Sequence, residues 1–141
     1  MGSMDYKLLG QVMGLILTDE FYSGSLVHGT RNSVYYAIKH GKCLVHRVDG
    51  NVVGYCTWGF FTEEELSLDC WDGDEVYSRD VGGVLFFPKF QCRQGRREVI
   101  RFIREIQRVL SGRYPDVETA GGLRVYADGS ERDEKWHRKV A

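Results

Sequence analysis

Apolar residues recur at Leu8, Leu9, Val12, Met13, Leu15 and Ile16, a 3.6-residue stripe that predicts a helix over Asp5 to Leu17 with Asp5 as its cap. After the loop-like stretch "TDEFYSGSLVHGT", a shorter stripe at Val34, Tyr35, Ala37 and Ile38 predicts a second helix from Asn32 to His40, stopped by Gly41. The pattern then changes to strand-like runs. "KCLVHRV" and "VVGYCTWGF" flank Asp49-Gly50-Asn51, where glycine and asparagine tolerate the positive φ of a tight turn, so a β-hairpin is expected. Thr62-Glu63-Glu64-Glu65 reads as a reciprocal helix start, Thr62 capping the amide three residues on and Glu65 reaching back.

The run "GGVLFFP" has strand length and no polar face, which suits a strand covered on both sides, with Pro88 at its end. From Arg96 to Leu110, Val99, Ile100, Phe102, Ile103, Ile106, Val109 and Leu110 lie on one side, and Arg97, Arg101, Arg104 and Arg108 on the other. Gly112 is the expected C-terminal cap of this helix. "GGLRVYA" predicts another strand, and "SERDEKWHRKVA" a last helix. A strand, a loop, a helix and a strand in succession form a parallel crossover, so the expected class is α/β (α+β), with helices on both faces of a mixed sheet.

Composition narrows the choices. The chain has 141 residues and a net charge of −1, enough for one core and too balanced for general attraction to nucleic acid or membrane. No signal peptide or membrane-length apolar run is visible, and Met1-Gly2-Ser3 before Met4 reads as a cloning scar, leaving one domain over 4–141. Cys43, Cys56, Cys70 and Cys92 have no C-x-x-C spacing and read as reduced thiols of a cytoplasmic protein. Cys43 and His46, three apart on a strand, point to opposite faces, so no metal site is expected.

Charge is uneven along the chain. Between Thr62 and Asp80 lie eight acids against one base, Arg79; between Lys89 and Arg113 lie eight bases against two acids, Glu98 and Glu105. The basic stretch begins with "PKFQCRQGRREVI", at the carboxyl end of a strand, where open α/β sheets bind ligands. A helix start offers free amides and partial positive charge, and Arg93, Arg96 and Arg97 would add charge-assisted bonds to phosphate. The alternative is that these arginines belong to the solvated face of an amphipathic helix, the reading preferred for Arg101, Arg104 and Arg108. An Arg-rich helix also follows nucleic-acid phosphates, yet the slightly negative net charge and the lack of a base-reading motif disfavour that partner.

"VLFFPKFQCRQGRREVI" resembles the central motif of the GNAT superfamily of N-acetyltransferases. There a strand ends near a proline, and a loop of the form Q/R-x-x-G-x-G/A cradles the pyrophosphate of coenzyme A. Gln91 matches the first position; Gln94 and Arg96 stand where glycines are usual, and Gly95 is displaced by one. The resemblance implies a GNAT-like twisted sheet. Backbone at Leu85, Phe86 and Phe87 would orient the pantetheine arm, and Gln91, Arg93, Gln94, Gly95, Arg96 and Arg97 would hold phosphates of acyl-CoA or an acyl carrier protein thioester. "GSERDEKWHRKVA" is similar to the fourth helix of that fold, with Trp136 where a tyrosine is often the general acid. The fold's usual last strands would follow Ala141, so the sheet is expected to be short at this end.

"YKLLGQVMGLI" and "YYAIKHGKCLVHRVDGNVVGYCTWGFFTEEE" resemble more narrowly the toxin-activating lysine acyltransferases, activators of RTX toxins. These have a GNAT-like fold and move a fatty acyl chain from acyl carrier protein to internal lysines of a protoxin. The resemblance implies an N-acyltransferase acting on a lysine or amine, with the acidic segment Glu63–Glu75 greeting a basic protein substrate. The family's catalytic histidine falls at Tyr22, with His28 nearby as a stand-in, and its aspartate has no counterpart between Gly82 and Lys89. His40, His46 and His137 show no carboxylate partner in the sequence. Compact, diverged relatives occur in phage genomes, so the resemblance also implies an alternative: a small protein-binding effector that keeps the fold without the chemistry and engages a host enzyme.

Overall fold

The computed structural model describes residues 4–17, 27–67, 73–80, 83–117, 119–125 and 131–137, with the side chains at 27–31, 119, 123–125 and 131–137 outside the description. The elements run α1 (Tyr6–Leu17), α2 (Val27–Lys39), β1 (Cys43–Val48), β2 (Asn51–Phe61), α3 (Glu63–Ser67), α4 (Asp74–Ser78), β3 (Val84–Cys92), α5 (Arg96–Arg113), β4 (Thr119–Val125) and β5 (Glu131–His137). The five strands form one sheet in the order β1-β2-β3-β4-β5, antiparallel except for the parallel β3–β4 pair.

Local chemistry sets several boundaries. Asp5 Oδ1 accepts from the Leu8 amide at 2.9 Å and caps α1. Gly41, at φ 70°, ends α2, and the Lys42 amide turns back to Ala37 O. Asp49 (φ 52°) and Gly50 (φ 81°) make the left-handed turn between β1 and β2. At α3 the Thr62 amide donates to Glu65 Oε1 at 2.8 Å and the Glu65 amide to Thr62 Oγ1 at 3.1 Å, the reciprocal cap expected from the sequence.

Both sheet faces are covered. On one, α5 lays Phe102, Ile106 and Leu110 onto Cys56, Trp58, Phe60, Leu85 and Phe87. On the other, Val12, Leu15 and Ile16 of α1 and Val34 and Ile38 of α2 pack on Tyr55, while Ala37, Val76 and Tyr77 pack on Phe61 and Phe86. Strict alternation along β2 sends Cys56, Trp58 and Phe60 one way and Tyr55 and Phe61 the other.

Four expectations need correction. The segment read as a last helix contains a strand, β5, whose seven residues pair antiparallel with β4 from Glu131–Val125 to His137–Thr119. Asp128-Gly129, between the two strands in sequence, is a turn signal that the helical reading passed over. Pro88 does not end its strand, because β3 continues to Cys92. The Arg-rich helix runs through Gly112 to Arg113, where Tyr114 caps it by donating its amide to Leu110 O. Finally, α2 starts at Val27, five residues before Asn32, in a stretch whose glycine hides the periodicity.

Candidate functional site

Pro88 accounts for the shape of the sheet here. In the β2–β3 register Thr57 faces Lys89 and Gly59 faces Phe86, so Phe87 and Pro88 together oppose Trp58. This is a β-bulge on β3, a place where a residue without an N–H breaks no ladder bond. The extra residue resets the alternation: Leu85 and Phe87 before it, and Phe90 and Cys92 after it, all face α5. The parallel register joins Phe86 to Gly121 and Phe87 to Gly122 and, among the described residues, does not continue past Pro88. The two strands therefore stay paired up to the bulge and lose their ladder beyond it.

The six-residue loop set divides at that point. Gln91, opposite Tyr55, is buried on the face of α1 and α2. Arg93 donates from Nη2 to Leu15 O at 2.8 Å, which satisfies a carbonyl at the end of α1. Gln94, Gly95, Arg96 and Arg97 are instead exposed at the start of α5. Leu85, Phe86 and Phe87 are buried, and the backbones of Phe86 and Phe87 are already paired with β4. Tyr22 lies outside the described residues; His28 falls within the first turn of α2, with its side chain outside the description. Trp136 and His137 stand on a strand in place of a helix, their side chains also outside the description.

The start of α5 is electropositive and open. Gly95 is its N-cap at φ 84° and ψ 177°, a conformation reserved for glycine, and no side chain caps the first turn. A Cβ built on Gly95 meets nothing within 4 Å, so the approach to these amides is clear. Among the described residues Arg96 and Arg97 make no ion pair or hydrogen bond, which leaves both guanidinium groups for a ligand.

Histidine partners are found that the sequence did not reveal. His46 Nε2 lies 2.6 Å from Glu98 Oε2, and its Nδ1 lies 3.9 Å from Glu105. Its ring stacks on Phe102, which stacks in turn on Phe90 (centroids 5.4 and 5.6 Å). The hydrogen bond from His46, followed by the charge of Arg101, holds the Glu98 carboxyl below the usual carboxylate range. His40 Nε2 sits 2.7 Å from Asp74 Oδ1, with Lys39 at 3.5 Å, and likewise depresses the Asp74 carboxyl. Both pairs span more than thirty residues of chain, beyond the reach of any local pattern.

Part of the acidic segment is tied down. Glu65 is gripped by both nitrogens of Arg79, at 2.6 and 3.1 Å, and Asp74 by His40. Asp80 meets the buried Lys42 at 2.8 Å. Burial pushes the Cys43 thiol up to about 12, and burial first, then neighbouring negative charge, raises Cys56 and Cys92, so none of the three is a nucleophile at neutral pH. Among the described residues no group of three or more His, Cys, Asp or Glu is placed to hold a metal ion. No described helix is long and apolar enough to cross a membrane.

No family model and no curated protein matches the chain. Among solved structures it is similar to the loading GNATL domain of CurA from Lyngbya majuscula, with a TM-score of 0.59 over 91% of this chain and 67% of that one, at 12% identity. The fold is therefore GNAT-like: a mixed sheet with helices on both faces and a parallel crossover through α5.

Proposed function

We propose that the chain is a GNAT-like N-acyltransferase that binds acyl-CoA or an acyl carrier protein thioester beside the β3 bulge and acylates a lysine or amine. One observation carries the reading: a bulged strand whose parallel ladder stops at Phe87 leads into a helix with an open first turn, a glycine N-cap and two uncommitted arginines. That helix start suits the phosphates of a thioester carrier. The amine attacks the thioester carbonyl, a C–N bond forms as the C–S bond breaks, and the thiolate leaves with a proton from the nitrogen. Alignment and oxyanion donors supply most of the acceleration in such an aminolysis, so Tyr22 or His28 would need only to relay that proton. The sequence resemblance in the first half supports a toxin-activating type of acyltransferase, working in the cytoplasm on a protein substrate.

A second reading is favoured by one specific feature: the resembled family's catalytic histidine and aspartate have no counterparts here, since Tyr22 stands at one place and apolar residues at the other. In this reading the fold is a binding effector, for example a phage protein engaging a host enzyme. Thermal melting with acetyl-CoA and long-chain acyl-CoA separates the two. A rise in Tm that Arg96→Ala with Arg97→Ala abolishes supports the acyltransferase. An unchanged Tm, together with a stoichiometric protein partner, supports the effector.

A further inference from the structure

His46 sits on β1, two strands away from the ladder break between β3 and β4, yet it reaches the functional end of α5. Its partner Glu98 is the third residue of that helix, directly after Arg96 and Arg97. We infer that His46 is a positioning residue for the anion-binding turn: it pins Glu98, and through it the first turn of α5, against the sheet, so that Arg96, Arg97 and the free amides face the phosphates of the ligand. The inference rests on the acyl-carrier reading for its ligand and on geometry for its mechanism.

Three features fix the imidazole. Phe102 stacks on one face of the ring, with Phe90 beyond it, so the ring plane is set by packing. Gly54 lies opposite His46 on β2, and Cys92 opposite Gly54 on β3; the backbone between them bears no side chain that would compete for the space. A Cβ on Gly54 would come within 2.8 Å of Gln91 O and 3.1 Å of Cys92 Cβ, so this gap is kept by close strand approach. Glu98 is in addition held by Arg101 at 2.9 Å, which leaves its Oε2 directed to His46.

Charge works in the same direction as geometry. The charged groups facing the ring come from α5: Glu98 at 2.6 Å, Glu105 at 3.9 Å, and Arg101 through Glu98. From β3 the neutral thiol of Cys92 faces the same space, and β2 offers Gly54 and the neutral Cys56. Arg47, the next residue, is turned away and donates to Gln11 of α1. His46 and Arg101 between them occupy both oxygens of Glu98, so the carboxylate next to Arg97 is tied down and not free to compete with a bound anion.

The test uses the full chain with His46→Gln, which keeps one hydrogen bond and no charge, and His46→Leu, which keeps neither. Coenzyme A and inorganic pyrophosphate are titrated by calorimetry at one fixed pH, and amide exchange is followed at Val99 and Ile100, the first amides of α5 with acceptors. His46→Leu should weaken both ligands roughly three- to tenfold, the scale of a misplaced helix start, and speed exchange at Val99 and Ile100 relative to the rest of α5. His46→Gln, which can still bond Glu98, should restore most of the affinity. Wild-type affinity retained in His46→Leu overturns the inference and leaves the acyl-carrier reading standing. Pyrophosphate bound with the stated losses while coenzyme A is ignored supports the inference and overturns that reading. Where neither ligand binds, the anion site itself is overturned, and with it the role given to His46. Unaltered exchange at Val99 and Ile100 in His46→Leu overturns the pinning whatever the ligands do.

Discussion

Gly95 carries a conformation that no side chain adopts without strain, φ 84° with ψ 177°, although nothing crowds it. Gly95→Ala should therefore cost about 1–3 kcal/mol of stability through the backbone alone, read from urea denaturation. It should also weaken coenzyme A binding, since the first turn of α5 must rotate to relieve the strain. The thiols give a second expectation at this scale. Cys43 and Cys56 are held protonated by burial, so peptide mapping after native-state treatment with iodoacetamide at pH 7.5 should find both unmodified. Modification within minutes would show that the core opens around β1 and β2. The carboxyls set the pH response. Glu65, beside Arg79, Asp74, beside His40, and Glu98, beside His46, are all depressed. A group with a lowered folded pKa stabilises the fold above its unfolded value and loses that contribution as pH falls. Stability should thus hold at neutral pH and decline as pH drops below about 4, with the urea midpoint as the measure.

Among the elements, α5 does the most. Phe102 touches both the β1 histidine and a β3 phenylalanine, as well as the core beneath it. Phe102→Ala should cost about 3–5 kcal/mol, measured by equilibrium denaturation, as large buried aromatics do. This helix was legible in the sequence because its apolar stripe is long and its arginines fall on the opposite side. The hairpin and the α3 cap were legible for a similar reason: Asp49-Gly50 and Thr62…Glu65 state their geometry within four residues. β5 was not. Glu131 to Lys135 are all charged and carry no strand alternation, so only pairing with β4 makes the segment a strand. Pro88 was misplaced because a proline reads locally as a stop, whereas the bulge that accommodates it is a property of two strands at once.

For the molecule as a whole, the open turn at Gly95 and its arginines could be read from charge and glycine content, because both lie within a few residues. The division of the loop could not: Arg93 turns to α1 and Gln91 under it, contacts made across 78 and 36 residues respectively from Leu15 and Tyr55. His46 with Glu98 is a similar case, 52 residues apart. The same distances explain why the acidic segment looked available. Glu65, Asp74 and Asp80 are met by Arg79, His40 and Lys42, and only the fold brings those partners to them.

One consequence concerns what the sheet does with its last described strand. Among the described residues β5 pairs on one side only, and an outer strand is an invitation to another chain. Five charged residues in succession, Glu131 to Lys135, answer that invitation. A second copy of this segment laid alongside in parallel register would set every one of these charges beside its own kind, which is unfavourable. The outer strand thus discourages the in-register stacking by which fibres grow.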